Sequence, residues 1–270
     1  QLGRADSVEQ LLAAGADPNA VLPGGETPLM TACRTGNAEA VRHLLKSKAH
    51  VNASERRGQT ALMWASAEGH IGVVDLLLAT EADMDLATPA GFSAMMFAAR
   101  EGRIDVVRRL LAAGVDVNAA MHPKTKGSRT LRDGTSALIL AVESGHFELA
   151  MMLVQKGAAP NDQRSGITPL HALSRVRKPD WGENENGDPS PRGSGTLTSL
   201  EFVHELVRAG ADVNTRLEKG SGGRAVLNPR GATPFLFAAK TADVPLMKLL
   251  IDLGADPAIP NADGCLPIMA

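Results

Sequence analysis

The residues of this 270-residue chain that could carry catalysis or hold a metal are seven histidines, two cysteines, one glycine-rich run and one acidic loop. Covalent catalysis needs a nucleophile, a base and an orienting group on a rigid frame. Zinc needs His and Cys at close, paired spacings. His43, His50, His122 and His204 show no such pairing. His70 and His146 each follow a glycine at a turn between two helical stretches, and His171 closes a Thr-Pro-Leu-His tetrad, so these three read as structural. Cys33 and Cys265 lie too far apart in sequence to form a disulfide framework, and Cys33 reads as a small buried filler. The run Lys219-Gly220-Ser221-Gly222-Gly223-Arg224 lacks Walker spacing and a preceding strand, and reads as a flexible finger tip. In the loop Asp180–Asp188, placing Gly187 at the turn of an EF-hand puts Gly182 and Gly193 where the first and last carboxylates belong, so calcium is not expected. Trp181 in the same loop needs cover from a neighbouring segment or a partner. No catalytic set, metal site or cofactor motif emerges, and the chain is expected not to be an enzyme.

Composition narrows the partners. Lys plus Arg number 28 against 30 Asp plus Glu, for a formal net charge of -2, and the aromatics are six Phe and two Trp with no Tyr. Neither the charge nor the scarcity of stacking rings suits a nucleic-acid binder. No apolar run is long enough to span a bilayer. The chain opens without Met or a leader and stops inside a periodic pattern, which reads as an excerpt of a longer protein and leaves the compartment open.

That pattern is a repeat. A glycine precedes a Thr-Pro-Leu-like tetrad at Gly25, Gly58, Gly91, Gly134, Gly166, Gly231 and Gly264, in steps of 33, 33, 43, 32, 65 and 33. A Leu-Leu-x-x-Gly-Ala-Asp marker closes each unit and assigns the extra residues to three insertions, about 119–133, 176–197 and 215–230. Within a unit, Thr or Ser after the glycine is a helix cap and Pro or Ala suits the first helical position. A short Ala-rich helix follows and ends near Gly36, Gly69, Gly102 or Gly145. The second helix is apolar at i, i+3, i+4, as in Val41, Leu44, Leu45 and Val107, Leu110, Leu111. Neither helix can bury its stripe alone, so units must pack on their neighbours. Met30, Met63, Met96 and Met269 fall on one row and read as packing between repeats.

The spacing and the tetrads resemble the ankyrin repeat family, whose unit is a loop or β-hairpin finger followed by two antiparallel helices. The Ala-Gly-Ala-Asp-Pro-Asn ends look like those of bacterial ankyrin proteins, for which both the cytoplasm and export are open. The resemblance implies an all-α ankyrin-repeat solenoid of helix-turn-helix units with loop or β-hairpin fingers. It implies a single domain over 1–270, with a partial repeat at 1–24, repeats starting near 25, 58, 91, 134, 166 and 231, and a partial repeat at 264–270. The family's His occurs only at His171; elsewhere Met, Ile or Leu replaces it and cannot make its side-chain hydrogen bonds.

In the family, ligands lie in a concave groove of fingers and first helices. The residues that flank the loop glycine, and the two before the Gly-His turn, vary with the ligand. The matching positions here are Arg34, Thr35, Arg56, Arg57, Gln59, Glu68, Phe92, Arg100, Glu101, Arg132, Asp133, Glu143, Arg164, Arg230 and Lys240, eight basic and four acidic. The first finger insertion adds Lys124, Lys126 and Arg129, and both finger insertions carry a net +3. The expectation is a monomeric, non-catalytic protein-interaction scaffold that steers an acidic protein segment into the groove. The alternatives are a regulatory or targeting arm of a larger enzyme, and polyanion or nucleic-acid contact through the basic fingers.

Overall fold

A computed structural model describes residues 2–124, 133–177, 193–219 and 227–270, with side chains from Asp6 onward. The chain forms two compact units, Gln1–Leu131 and Arg132–Ala270. The first unit holds α1 (Leu2–Ala13), α2 (Pro28–Thr35), α3 (Ala38–Lys46), α4 (Ala61–Glu68), α5 (Ile71–Leu78), α6 (Ala94–Arg100) and α7 (Ile104–Ala112). The second holds α8 (Ala137–Glu143), α9 (Phe147–Gln155), α10 (Pro169–Arg177), α11 (Ser199–Arg208), α12 (Pro234–Lys240) and α13 (Val244–Asp252), then a 3-10 turn at Pro267–Met269. No strand occurs among the described residues; the fingers carry only the antiparallel bridges Ser54–Thr60 and Ala87–Ser93.

The helices begin where the sequence places their caps. The hydroxyls of Thr27, Thr60, Ser93, Ser136 and Thr233 accept the backbone N–H three residues on. Pro or Ala occupies the first helical position in every such helix. First helices pack on first helices (α2 on α4, α4 on α6; α8 on α10, α10 on α12) and second on second (α3 on α5, α5 on α7; α9 on α11, α11 on α13). The seams are filled by Val41, Leu44, Val74, Leu77, Val107 and Leu110 in the first unit and by Phe202, Leu206, Leu246 and Leu250 in the second, all buried. Met30, Met63 and Met96 are buried between repeats as expected, but Met269 is 67% exposed on the final turn. Val176 and Arg177, placed in the long insertion from the sequence, are the last residues of α10.

Asparagines tie the loops together. Asn19 Oδ1 accepts the His50 N–H (2.7 Å) while its Nδ2 donates to Lys48 O (3.3 Å). Asn52 does the same with Asp83 N and Glu81 O, Asn161 with Asp212 N and Gly210 O, and Asn214 with Asp256 N and Gly254 O. Each side chain satisfies one donor and one acceptor of the following loop, which secondary structure leaves unpaired.

Candidate functional site

In the first unit, Arg34 at the end of α2 puts its guanidinium 3.0 Å from the Glu26 carboxylate and 5.4 Å from the centre of the Trp64 ring on α4. Arg100 at the end of α6 lies 5.1 Å over Phe92 and 5.2 Å over Phe97, with its Nε donating to Glu101 at 2.9 Å. Two cations thus rest on aromatic platforms beside a carboxylate, and each Arg side chain is still 42% exposed. The ring contact helps to hold each guanidinium in place. Arg56 is fixed by its neighbours: its N–H donates to Gly24 O at 3.0 Å and its Nη2 to Pro23 O at 3.4 Å. Arg57 is exposed, and its guanidinium has no partner among the described residues. Glu68 and Lys124 are exposed, and Gln59 is half-buried. Thr35 is exposed, but its hydroxyl is turned back to Thr31 O and Ala32 O.

Phe92 is a correction. It is 7% exposed, because its ring turns inward onto Phe97 at a centroid distance of 5.1 Å. The ring lies beneath Arg100 and is not presented to solvent as the sequence suggested. Lys126, Arg129 and Arg132 lie outside the described residues, as does Trp181.

In the second unit, Arg164 closes a bidentate pair with Asp162 (2.9 and 2.8 Å). Burial raises the Asp162 pKa, but the hydrogen bonds and charge of Arg164 outweigh it and hold the carboxyl below its ordinary value. Asp133 and Arg230 are exposed, Glu143 and Lys240 half-buried. The sequence reasoning missed Glu26, Trp64 and Asp162. Their signal was positional: Trp64 occupies the helix position of Phe97, and each acid lies close in sequence to an arginine.

Cys33 and His171 are buried in the core. Burial pushes the Cys33 thiol up to about 12. His171 is fully buried, shares a hydrogen bond with Thr168 Oγ1 at 2.8 Å, and meets Ala232 O through Nε2 at 3.1 Å. Burial, with the charge of Arg175, pushes its pKa down to about 3, against the opposing effect of the hydrogen bond to the Ala232 carbonyl. The unfolded ring binds a proton below its ordinary 6.5, whereas the folded ring does not until about 3. Stability is therefore expected to fall as pH drops through that window, by up to about 1.4 kcal/mol per unit. Urea midpoints of wild type and His171→Gln, measured from pH 7 downward, check this: the wild-type slope should be steeper. Among the described residues no three His, Cys, Asp or Glu side chains cluster as a metal site, and no helix is long and apolar enough to cross a membrane.

Family models describing ankyrin repeats in three copies match residues 1–88, 51–121 and 95–180, and the ankyrin repeat model matches 230–262. The chain is an ankyrin repeat protein. The ankyrin repeat domain of human ASB11, known from a crystal structure, superposes on this chain with a TM-score of 0.70 at 22% identity, covering 95% of this chain and 96% of that one. That likeness fixes the ankyrin fold. No curated protein sequence matches it. Ankyrin repeats are in general protein–protein interaction modules, and the fold is typically a non-enzymatic scaffold.

Proposed function

We propose that the finger and first-helix face of the Gln1–Leu131 unit binds an acidic protein segment without catalysis. The supporting observation is the pair of arginines laid on aromatic rings, Arg34 on Trp64 and Arg100 on Phe92 and Phe97. A guanidinium already positioned over a ring loses little further freedom when a carboxylate arrives. Glu26 and Glu101 already pair with these arginines, so a bound segment exchanges its own carboxylates for theirs. That exchange limits affinity and gives selectivity for spacing over bulk charge. Arg56, Arg57 and Lys124 add exposed positive charge on the fingers and steer the approach.

Titration of a Glu-rich peptide into the protein tests this. Replacing Arg34, Arg56 and Arg57 by Glu should weaken binding by at least about tenfold and remove most of its salt dependence. Replacing Lys124, Lys126, Arg129 and Arg132 by Ser should slow association while leaving helicity unchanged. Unaltered affinity in the Glu variant overturns the reading, as does steep, sequence-indifferent binding to DNA or RNA in place of the peptide.

A further inference from the structure

The long insertion between α10 and α11 returns to the fold over residues 193–197, and this return is seated on the turn between α8 and α9. The Ser194 N–H donates to His146 Nδ1 at 3.0 Å, and Ser194 Oγ lies 2.9 Å from the same nitrogen. Two residues on, Glu148 Oε1 accepts the Thr196 N–H (2.7 Å), the Thr196 hydroxyl (3.0 Å) and the Leu197 N–H (3.2 Å). These hydrogen bonds join groups 48 or 49 residues apart in sequence. The fit is close: a Cβ on Gly193 would collide with the Gly145 carbonyl oxygen, and one on Gly195, where φ is +94°, with the Glu148 carboxylate. At its other end the insertion leaves from Arg177, which is clamped to Asp243 and Ser199.

The two anchors differ in chemistry. An imidazole nitrogen that accepts a backbone N–H must carry no proton, and a protonated ring offers only donors. The ring could then hold Ser194 Oγ, but it would leave the Ser194 N–H without an acceptor. Glu148 works the other way: the Thr196 N–H and hydroxyl, with the Leu197 N–H, lower its pKa against the opposing effect of burial, so the carboxylate persists into acid. We propose that residues 193–197 form a proton-sensitive strap, seated on the α8–α9 turn by a neutral His146 and released at its Ser194 end when that ring is protonated, while Glu148 retains the Thr196 end.

Among the described residues, the charged groups on the elements around His146 are these. Residues 193–197 carry none. On the flanking helices the carboxylates are Glu143, ending α8, and Glu148, on α9. On α10, Arg177 is engaged by Asp243, and Arg175 lies 5.3 Å over the Phe237 ring. On α11, Glu201 accepts from Thr198, while Glu205 pairs with His204 and Arg208 on its own helix.

The strap does not depend on the partner-binding reading, and its test uses no partner. Amide hydrogen exchange, corrected for intrinsic rates, is followed across 193–198 from pH 7.5 to 5.5. Exchange at Ser194 should rise about tenfold in acid, while Thr196 and Leu197 stay protected. His146→Asn keeps a neutral acceptor near the position of Nδ1, so Ser194 should then be protected at both pH values. Gly195→Val should expose the whole segment at every pH, with helix content unchanged. A wild-type Ser194 amide that is equally protected at both ends of the range overturns the strap. So does an asparagine variant that reproduces the wild-type pH response, since that would trace it to another group.

Discussion

Asp243→Ala should cost the Arg132–Ala270 unit about 3–5 kcal/mol, because it leaves a partly buried arginine without its counter-charge. Asp243 is 1% exposed and holds Arg177 by two hydrogen bonds, Nε at 2.7 Å and Nη2 at 3.0 Å. The same carboxylate caps α13 by accepting the Leu246 N–H at 3.3 Å. One substitution thus removes a cap and strands the Arg177 side chain, itself only 17% exposed. The double variant Asp243→Ala with Arg177→Leu should recover a large part of the loss, since the unpaired charge goes with it. Urea unfolding of the single and double variants checks both statements. Equal midpoints for Asp243→Ala and wild type would mean that the pair contributes nothing.

Leu110→Ala should lower the stability of the Gln1–Leu131 unit by about 2–5 kcal/mol. Leu110 is completely buried on α7, which packs on α5 and α6, so the deleted atoms leave a cavity that two neighbours bound. Neighbouring Leu111 is half-buried, and its replacement by Ala should cost clearly less. Thermal or urea midpoints of the two variants, taken with unchanged far-ultraviolet helicity, make the comparison. Equal losses at both positions would mean that the helix faces are assigned wrongly.

Local chemistry was legible in the residues themselves. The caps at Thr27, Thr60 and Thr233, the paired helices of each unit and the structural parts played by Cys33 and His171 all follow from spacing and residue type. What stayed hidden depends on contacts between distant segments or on side-chain direction. Phe92 flanks a loop glycine, as the exposed Arg57 and the half-buried Gln59 do, yet its ring finds Phe97 and turns inside. The groove's expected positive charge is partly cancelled, because Glu26, Glu101 and Asp162 reach Arg34, Arg100 and Arg164, and a tally of charges by position does not contain those distances. The seating of Ser194 on His146 had no sequence signal at all, since a Gly-Ser-Gly stretch in a long insertion reads as solvated loop.

The asparagines that join successive loops expose this protein to slow chemical ageing. Hydrolysis of one such amide, at Asn52 for example, replaces the Nδ2–H group that faces Glu81 O with an anionic oxygen. A bond becomes a repulsion between two acceptors, while the neighbouring contact to the Asp83 N–H survives. Because every tie spans only adjacent loops, damage at one does not propagate through a shared core. Old or heated molecules should therefore loosen locally, loop by loop, before either unit melts.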